Sequence, residues 1–534
     1  MLSYSRGPAG ILVRKTVGEA FLETAASAPD RVAVVDCYQS VRLTWAEYAK
    51  EALRTAAGLR GLGLEPGDRV GVWATNCVEW MLLQFGCALA GVVLVNVNPA
   101  YRSHELSYVL KKSGMKALFL RERDRRSEYK AIFEESRDGV DVRTVYLGTR
   151  EWQAFLREDD GVRPDIDPGS AANMQYTSGT TGRQKGVLLS HVNLVNNARF
   201  IGEYMNLTAE DRICVPVPLF HCFGSVIGTM VAAVTGAAVV LPGPHFDARA
   251  TLGAIEAERA TAVYGVPAMF IAELNDPEFA RFDLSSLRTG MMAGSPCPVE
   301  IMRRVVDDMH CREMLVGYGQ TEATPIITMA RVTDSVETRC GTVGCALPET
   351  EVRIVSTSTG ETLPAGEQGE LHARGYMVML GYDGEPEATR KAVDGEGWLH
   401  TGDLAVMRED GYFHITGRAT DMIIRGGENV YPREIEEFLH THPKVADVHV
   451  VGLPDERLGE VVLAWVRLKA GVEATAEEIQ DFCKGRLAYF KVPQFVRFVD
   501  SYPMTISGKI QKYKIREQEI AERGLGSVAR VATA

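Results

Sequence analysis

The chain is 534 residues long, past the length at which a single hydrophobic core keeps growing, so two or more domains are expected. Acidic residues outnumber basic ones by 70 to 58, giving a net charge of −12 with no long basic run, and nucleic acid is a poor partner for such a chain. No apolar stretch reaches membrane-spanning length, and the N-terminal MLSYSRGPAGILVRKTVGEAF has too short an apolar run for a secretory signal, which makes the cytoplasm the expected location.

Through the first half, apolar runs such as RVGVWA, GVVLVNV and KALFL alternate with amphipathic patterns such as WAEYAKEALRTAAGLRGLG and HELSYVLKKSG. That alternation predicts α/β layers with parallel sheets. The run YTSGTTGRQKG, Tyr176 to Gly186, follows a strand-like segment. Gly179 and Gly182 let backbone N–H groups converge on an anion, Thr177, Ser178, Thr180 and Thr181 offer hydroxyls, and Lys185 supplies a point charge, so the loop suits a polyphosphate. Its spacing does not match G-x-x-x-x-G-K-[ST], which argues against an ordinary P-loop NTPase. A flexible Ser/Gly/Thr linker is the plain alternative, but linkers rarely lead straight into KGVLLSHVNLV.

Further along, ARFIGEYM reads as helix, RICVPVP as strand, and TMVAAVTGAAVVL as helix passing to strand across Gly236. The segments TLGAIEAERATAVYGVP and PVEIMRRVVDDMHCREMLVGYGQTE each end in a strand whose C-terminal loop is a usual place for ligands. After about residue 340, EVRIVS, GELHARG and GWLHTGDLAVMREDGYFHITGR predict a small β-rich subdomain. From Asp421 the order is helix (PREIEEFLHTHP), strands (VADVHVVGLP, VVLAWVRL), helix (TAEEIQDFCKGRLAYF) and strand (FVRFVD), a compact α+β unit. The expected division is therefore residues 1–420 and 421–534. Ten cysteines lie in apolar surroundings without C-x-x-C pairs and read as reduced, mostly buried small hydrophobes; Cys340 and Cys345, in CGTVGC, are the pair whose turn-forming glycines permit approach, with a redox or metal role as the minor alternative.

Four stretches taken together are more specific than any alone: YTSGTTGRQKG, YGQTE (Tyr318 to Glu322), TGD (Thr401 to Asp403) with Gly417 and Arg418, and SGKIQK (Ser507 to Lys512). In this order, across nearly the whole chain, they resemble the adenylate-forming superfamily of acyl- and aryl-CoA synthetases, luciferases and peptide-synthetase adenylation domains. The resemblance implies a large N-terminal domain and a small mobile C-terminal lid. It also implies two-step chemistry, in which a carboxylate attacks the α-phosphate of ATP, expelling pyrophosphate, and a thiol then displaces AMP from the acyl adenylate.

By the same resemblance, the glycine-rich loop clamps the β- and γ-phosphates, and Thr321 donates to the α-phosphate. Glu322 holds Mg²⁺, a hard cation suited to carboxylate and phosphate oxygens. Tyr318 is similar to the aromatic on which adenine stacks, Asp403 to the acceptor of the ribose hydroxyls with Arg418 nearby, and Gly294, Ser295, Gly319 and Gln320 to further nucleotide-binding positions. Lys509 matches the lysine bridging the acid's carboxylate and the α-phosphate, and His221, in PLFHCFG, the residue beside the acyl carboxylate that gates the thiol. Gly426 and Gly427, in RGGENVYPREIE, match the passage for the pantetheine arm of coenzyme A, although a simple turn accounts for them as well. At the hinge, where the family commonly has Asp or Lys, this chain has Thr420 followed by Asp421.

Segments matching the family's acyl pocket (220–229, 264–267, 293–295 and 316–325) contain no cationic residue, which disfavours dicarboxylates and amino acids. Gly319 stands where acetate-specific relatives place a bulky Trp, so longer acyl or aryl groups are expected. NVNPAYRSHELSYVL, PLFHCFGSVIGTM and RGGENVYPREIEEFL look most like medium-chain fatty-acyl-CoA synthetases. The expected activity is ATP-dependent ligation of such an acid to coenzyme A. The alternatives are an aryl-CoA ligase, an enzyme loading a separate carrier protein, or a nucleotide-binding protein without turnover. The sequence leaves the oligomeric state open, a homodimer included.

Overall fold

The computed structural model describes residues 1–137, 139–177, 184–295, 297–418, 421–425, 428–455, 457–484, 486–505 and 509–525. Two large sheets form the N-terminal domain. The nine-stranded one runs in the order Cys345–Ala346, Ile326–Met329, Glu313–Gly319, Thr289–Ala293, Ala262–Gly265, Arg212–Cys214, Ala238–Leu241, Val32–Asp36 and Val41–Thr44. It is parallel from Glu313–Gly319 to Val32–Asp36 and antiparallel at both edges. The seven-stranded one runs Gly381–Tyr382, Lys185–Ser190, Ala171–Thr177, Val93–Asn96, Arg69–Trp73, Ala117–Leu120 and Arg143–Tyr146, with its first three strands paired antiparallel.

Helices Val17–Ser27, Trp45–Gly61, Val78–Ala90 and His191–Tyr204 contribute to the largest apolar cluster, which draws on both sheets. Helix Val78–Ala90 is buried almost all round, and Phe85 stacks on Phe21 at 4.3 Å. A ring this enclosed contributes about 3–5 kcal/mol against truncation to Ala. Helix His191–Tyr204 starts at a capping box: the Ser190 hydroxyl accepts the Asn193 N–H, and Asn193 Oδ1 accepts the Ser190 N–H.

The β-rich subdomain is a five-stranded sheet of Thr350–Val355, Gln368–Gly375, Leu399–Met407 and Phe413–Arg418, completed at its edge by Tyr4–Arg6. That N-terminal strand is too short and polar to register as a sequence pattern. The smaller C-terminal domain is a sheet of Glu428–Val430, Ile423–Arg425, Gly459–Leu468, Val445–Asp455 and Phe495–Phe498, with helices Pro432–His440, Ala476–Cys483 and Lys512–Glu522.

Two expectations need correction, and one element is new. RICVPVP is a strand only over Arg212–Cys214, because Pro216 and Pro218 lack the N–H a ladder requires. TAEEIQDFCKGRLAYF is helical only over Ala476–Cys483; Lys484 is extended, and Tyr489–Lys491 forms a separate 3-10 turn. FGSVIGTM, largely within the segment 220–229 matched to the acyl pocket and given no element from the sequence, is a π-helix, Phe223–Met230, buried throughout. No helix among the described residues is long and apolar enough to cross a membrane.

Candidate active site

The glycine-rich loop joins the two strands of an antiparallel hairpin, Ala171–Thr177 and Lys185–Ser190, in which Tyr176 pairs with Gly186 and Thr177 with Lys185. Ser178, Gly179, Thr180, Thr181 and Gly182 lie outside the described residues, as do Thr420, Gly426 and Gly427. Where the hairpin is described, it leads directly to Glu322. Lys185 Nζ stands 4.7 Å from the centre of the Tyr382 ring, and the Tyr382 hydroxyl donates to Glu322 Oε1 at 2.9 Å. Tyr382 comes from the two-residue strand Gly381–Tyr382, which pairs with Leu188 and Val187. Asp383 fixes its far side: its N–H donates to the Gly186 carbonyl, and its carboxylate takes a two-pronged bond from Arg69 at 2.9 and 2.7 Å. Burial and the Glu322 carboxylate push the Tyr382 phenol well above its ordinary range, so it remains a donor.

A second group forms where strand Glu313–Gly319 meets the β-rich sheet. The Tyr318 hydroxyl donates to Asp403 Oδ2 at 2.7 Å, and Arg418 Nε to Asp403 Oδ1 at 2.9 Å. Antiparallel register sets Asp403 opposite Arg418, and Asp403 is only 5% exposed. The carboxylate raises the Arg418 pKa further, so this pair stays charged. Thr321 begins a 3-10 turn, Thr321–Ala323, after the half-buried Gln320, and its hydroxyl lies 3.9 Å from Cys222 Sγ. Gly294, at φ 89°, and Ser295 are exposed beyond strand Thr289–Ala293, one strand over, where Ala293 pairs with Gly317.

Gly319 answers a tighter constraint than the pocket-length reading supposed. A Cβ there would lie 1.8 Å from the Pro325 carbonyl oxygen, so the glycine is required by close backbone approach whatever the acid.

His221 sits in the turn before the π-helix. Gly224 makes that turn passable, since a Cβ on it would fall 2.3 Å from the Pro218 carbonyl oxygen. His221 Nδ1 accepts the Phe223 N–H at 3.1 Å, which assigns the ring proton to Nε2. Burial, then the positive charge of Lys509, lowers the His221 pKa to about 3. The ring is therefore a neutral donor at ordinary pH.

Lys509 reaches this site from the C-terminal domain. Its N–H donates to Thr505 Oγ1 at 3.0 Å and its carbonyl accepts the Thr505 N–H at 2.8 Å, so its backbone is held from both sides by Thr505. Burial and the Arg418 guanidinium lower its pKa, while Cys222, Asp403 and Glu322 act in the opposite sense. Lys509, Glu322, Asp403, Arg418 and His221, far apart in sequence, thus share one electrostatic neighbourhood. Among these contacts, the sequence reading missed Tyr382 and Asp383, which only strand pairing brings to the phosphate hairpin.

The hairpin bearing Lys185, the carboxylates of Glu322 and Asp403, and Lys509 from the second domain thus lie about one site. The chain belongs to the AMP-binding enzyme family, whose pattern matches residues 21–383, with the AMP-binding enzyme C-terminal domain matching residues 434–509. It is 46% identical to YngI of Bacillus subtilis strain 168 over 97% of this chain and 99% of that protein. It is 43% identical to the mitochondrial medium-chain acyl-CoA ligase ACSF2 of Bos taurus, over 97% of this chain and 89% of the relative. The crystal structure of ATP-bound MatB from Rhodopseudomonas palustris superposes with a TM-score of 0.86 at 29% identity, covering 95% of this chain and 99% of the other.

Proposed function

We propose that this chain activates a medium-chain fatty acid with ATP, forming an acyl adenylate and pyrophosphate, and then passes the acyl group to coenzyme A. It is an AMP-forming acyl-CoA synthetase. The observation that carries the mechanism is the arrival of Lys509, from the C-terminal domain, beside Glu322, Asp403, Arg418 and His221.

A carboxylate and a polyphosphate repel each other, and a lysine between the acid's oxygen and the α-phosphate offsets that repulsion where charge accumulates. Thr321 donates to the same phosphate, and Lys185 with the hydroxyls of the glycine-rich loop holds the β- and γ-phosphates. The Glu322 carboxylate, oriented by the Tyr382 hydroxyl, suits Mg²⁺ in chemistry, and the ion bound there would neutralise charge on the departing pyrophosphate. Asp403 accepts the ribose hydroxyls and Tyr318 flanks the base, with Gly294, Ser295, Gly319 and Gln320 completing the nucleotide wall. His221 offers its Nε2 proton to the acid's carboxylate.

The acyl chain runs against the π-helix Phe223–Met230, whose Phe223 ring lies 6.0 Å from that of Tyr264. Each buried methylene adds about 0.8 kcal/mol, so selection among chain lengths is graded. The unit after residue 420 acts as a lid. The last strand of the β-rich sheet ends at Arg418, and Ile423–Arg425 already belongs to the C-terminal sheet, which supports the boundary at 420/421. After adenylation the lid turns Lys509 away and brings Gly426 and Gly427 toward the thiol path.

The test is pyrophosphate and AMP release across acids from acetate to long-chain fatty acids plus benzoates, with and without coenzyme A. Fast turnover of octanoate-like acids only with coenzyme A is expected. Adenylate formation indifferent to coenzyme A would replace the acceptor by a carrier protein, and inactivity with the whole panel would overturn the reading.

A further inference from the structure

The β-rich sheet carries a cluster that the ligase chemistry does not use. His372 and His400 face each other across strands Gln368–Gly375 and Leu399–Met407, their rings stacked with centres 4.0 Å apart. Glu370, two residues before His372 and so on the same face of its strand, brings Oε2 to 3.5 Å from His372 Nε2. One ligating atom from each of Glu370, His372 and His400 lies within 4.8 Å of the others. His372 is 4% exposed, yet neither of its ring nitrogens has a hydrogen-bond partner among the described residues. A buried imidazole that meets a carboxylate only at 3.5 Å, short of a hydrogen bond, calls for an explanation.

We propose that Glu370, His372 and His400 form a binding site for a divalent transition metal of the Zn²⁺ class. The Glu370–His372 separation suits such an ion: with bonds of about 2.0–2.1 Å, the ligands of a tetrahedral Zn²⁺ stand about 3.4 Å apart, and the two stacked rings would splay to converge on it. Two imidazoles and a carboxylate select Zn²⁺, Ni²⁺ or Cu²⁺ over Mg²⁺. The second oxygen of Glu370 is already oriented, accepting the Gly402 N–H at 2.9 Å, and the Thr401 hydroxyl ties the opposite strand to the Leu371 carbonyl at 2.6 Å. Asp394 Oδ2, 3.4 Å from His400 Nε2 and 3.9 Å from the Arg353 guanidinium, is placed to steady His400. His400 is partly exposed and provides the way in. The site lies on the strand that carries Asp403, so occupancy staples the nucleotide wall from behind.

The test uses the full-length protein stripped with EDTA and dialysed. Titration with Co²⁺ is expected to give the visible bands of a tetrahedral nitrogen- and oxygen-ligated ion at one equivalent. Zn²⁺ should abolish them, and millimolar Mg²⁺ should leave them unchanged. His400→Asn and Glu370→Gln should each weaken Zn²⁺ binding ten- to a hundredfold by calorimetry. His372→Phe fills the same buried space without polar atoms; it should fold, checked by circular dichroism, and lose binding. The proposal is overturned if no bands form, if the spectrum is that of thiolate ligation, or if folded His372→Phe binds Zn²⁺ as the parent does.

Discussion

The nucleoside wall and the Lys509 turn meet at one site but are built on different principles. Asp403 is fixed before any nucleotide arrives, with one carboxylate oxygen bonded to Tyr318 and the other to Arg418, all within the N-terminal domain. Lys509 is held by its backbone to Thr505, and its place opposite Asp403 depends on how the second domain sits. On the function proposed above, binding of ATP belongs to a preformed surface, whereas the chemical step belongs to a delivered group.

The strongest way to break that contrast is Lys509→Ala. Acid-dependent pyrophosphate release should fall by roughly a hundred- to a thousandfold, about 3–4 kcal/mol, with ATP affinity by fluorescence titration nearly unchanged. A large loss of ATP affinity would mean that the lysine belongs to the wall after all. Asp403→Ala should show the opposite split: with Tyr318 and Arg418 both losing their acceptor, the KM for ATP should rise about ten- to a hundredfold, in line with a loss of roughly 1–3 kcal/mol.

A smaller change sharpens the link between phosphate and carboxylate. Tyr382→Phe keeps the ring beside Lys185 but removes the bond to Glu322; a rate loss of about fivefold, roughly 1 kcal/mol, partly recovered by raised Mg²⁺, is expected. Ser190→Ala should cost about 1 kcal/mol in thermal unfolding through its lost helix cap, without altering the KM for ATP.

The gentlest probe is pH. The unfolded chain protonates His221 near 6.5 and the folded one only near 3, so this group's stabilising contribution is full above 6.5 and is lost as pH falls toward 3. Tm should decline with less slope over that window in His221→Asn. The adenylation profile should show no ionisation of this ring near 6.5. On the alkaline side, the lowered pKa of Lys509 should make kcat/KM fall earlier than an ordinary lysine would dictate.

Much of this was legible in the sequence because the chemistry sits in short runs. YGQTE and TGD each pack several polar groups into a few residues, and Lys509 stands in the short run SGKIQK. Tyr382 was not legible, since it reaches Lys185 and Glu322 only through a two-residue strand paired with the hairpin. Nor was the facing of His372 and His400, which is a matter of strand register rather than spacing. The π-helix was hidden for a different reason: FGSVIGTM has the same apolar texture whether wound with four- or five-residue bonds.

If the acyl chain runs against this helix as proposed, that extra residue makes chain length itself a variable of the pocket. Each helical residue advances the chain by about 100°, so deleting one residue between Ser225 and Met230 would rewind the segment as an α-helix and swing its preceding turn around. A lineage, or an engineer, can therefore redraw which acids fit by a single-codon deletion, with the remaining composition of the pocket untouched.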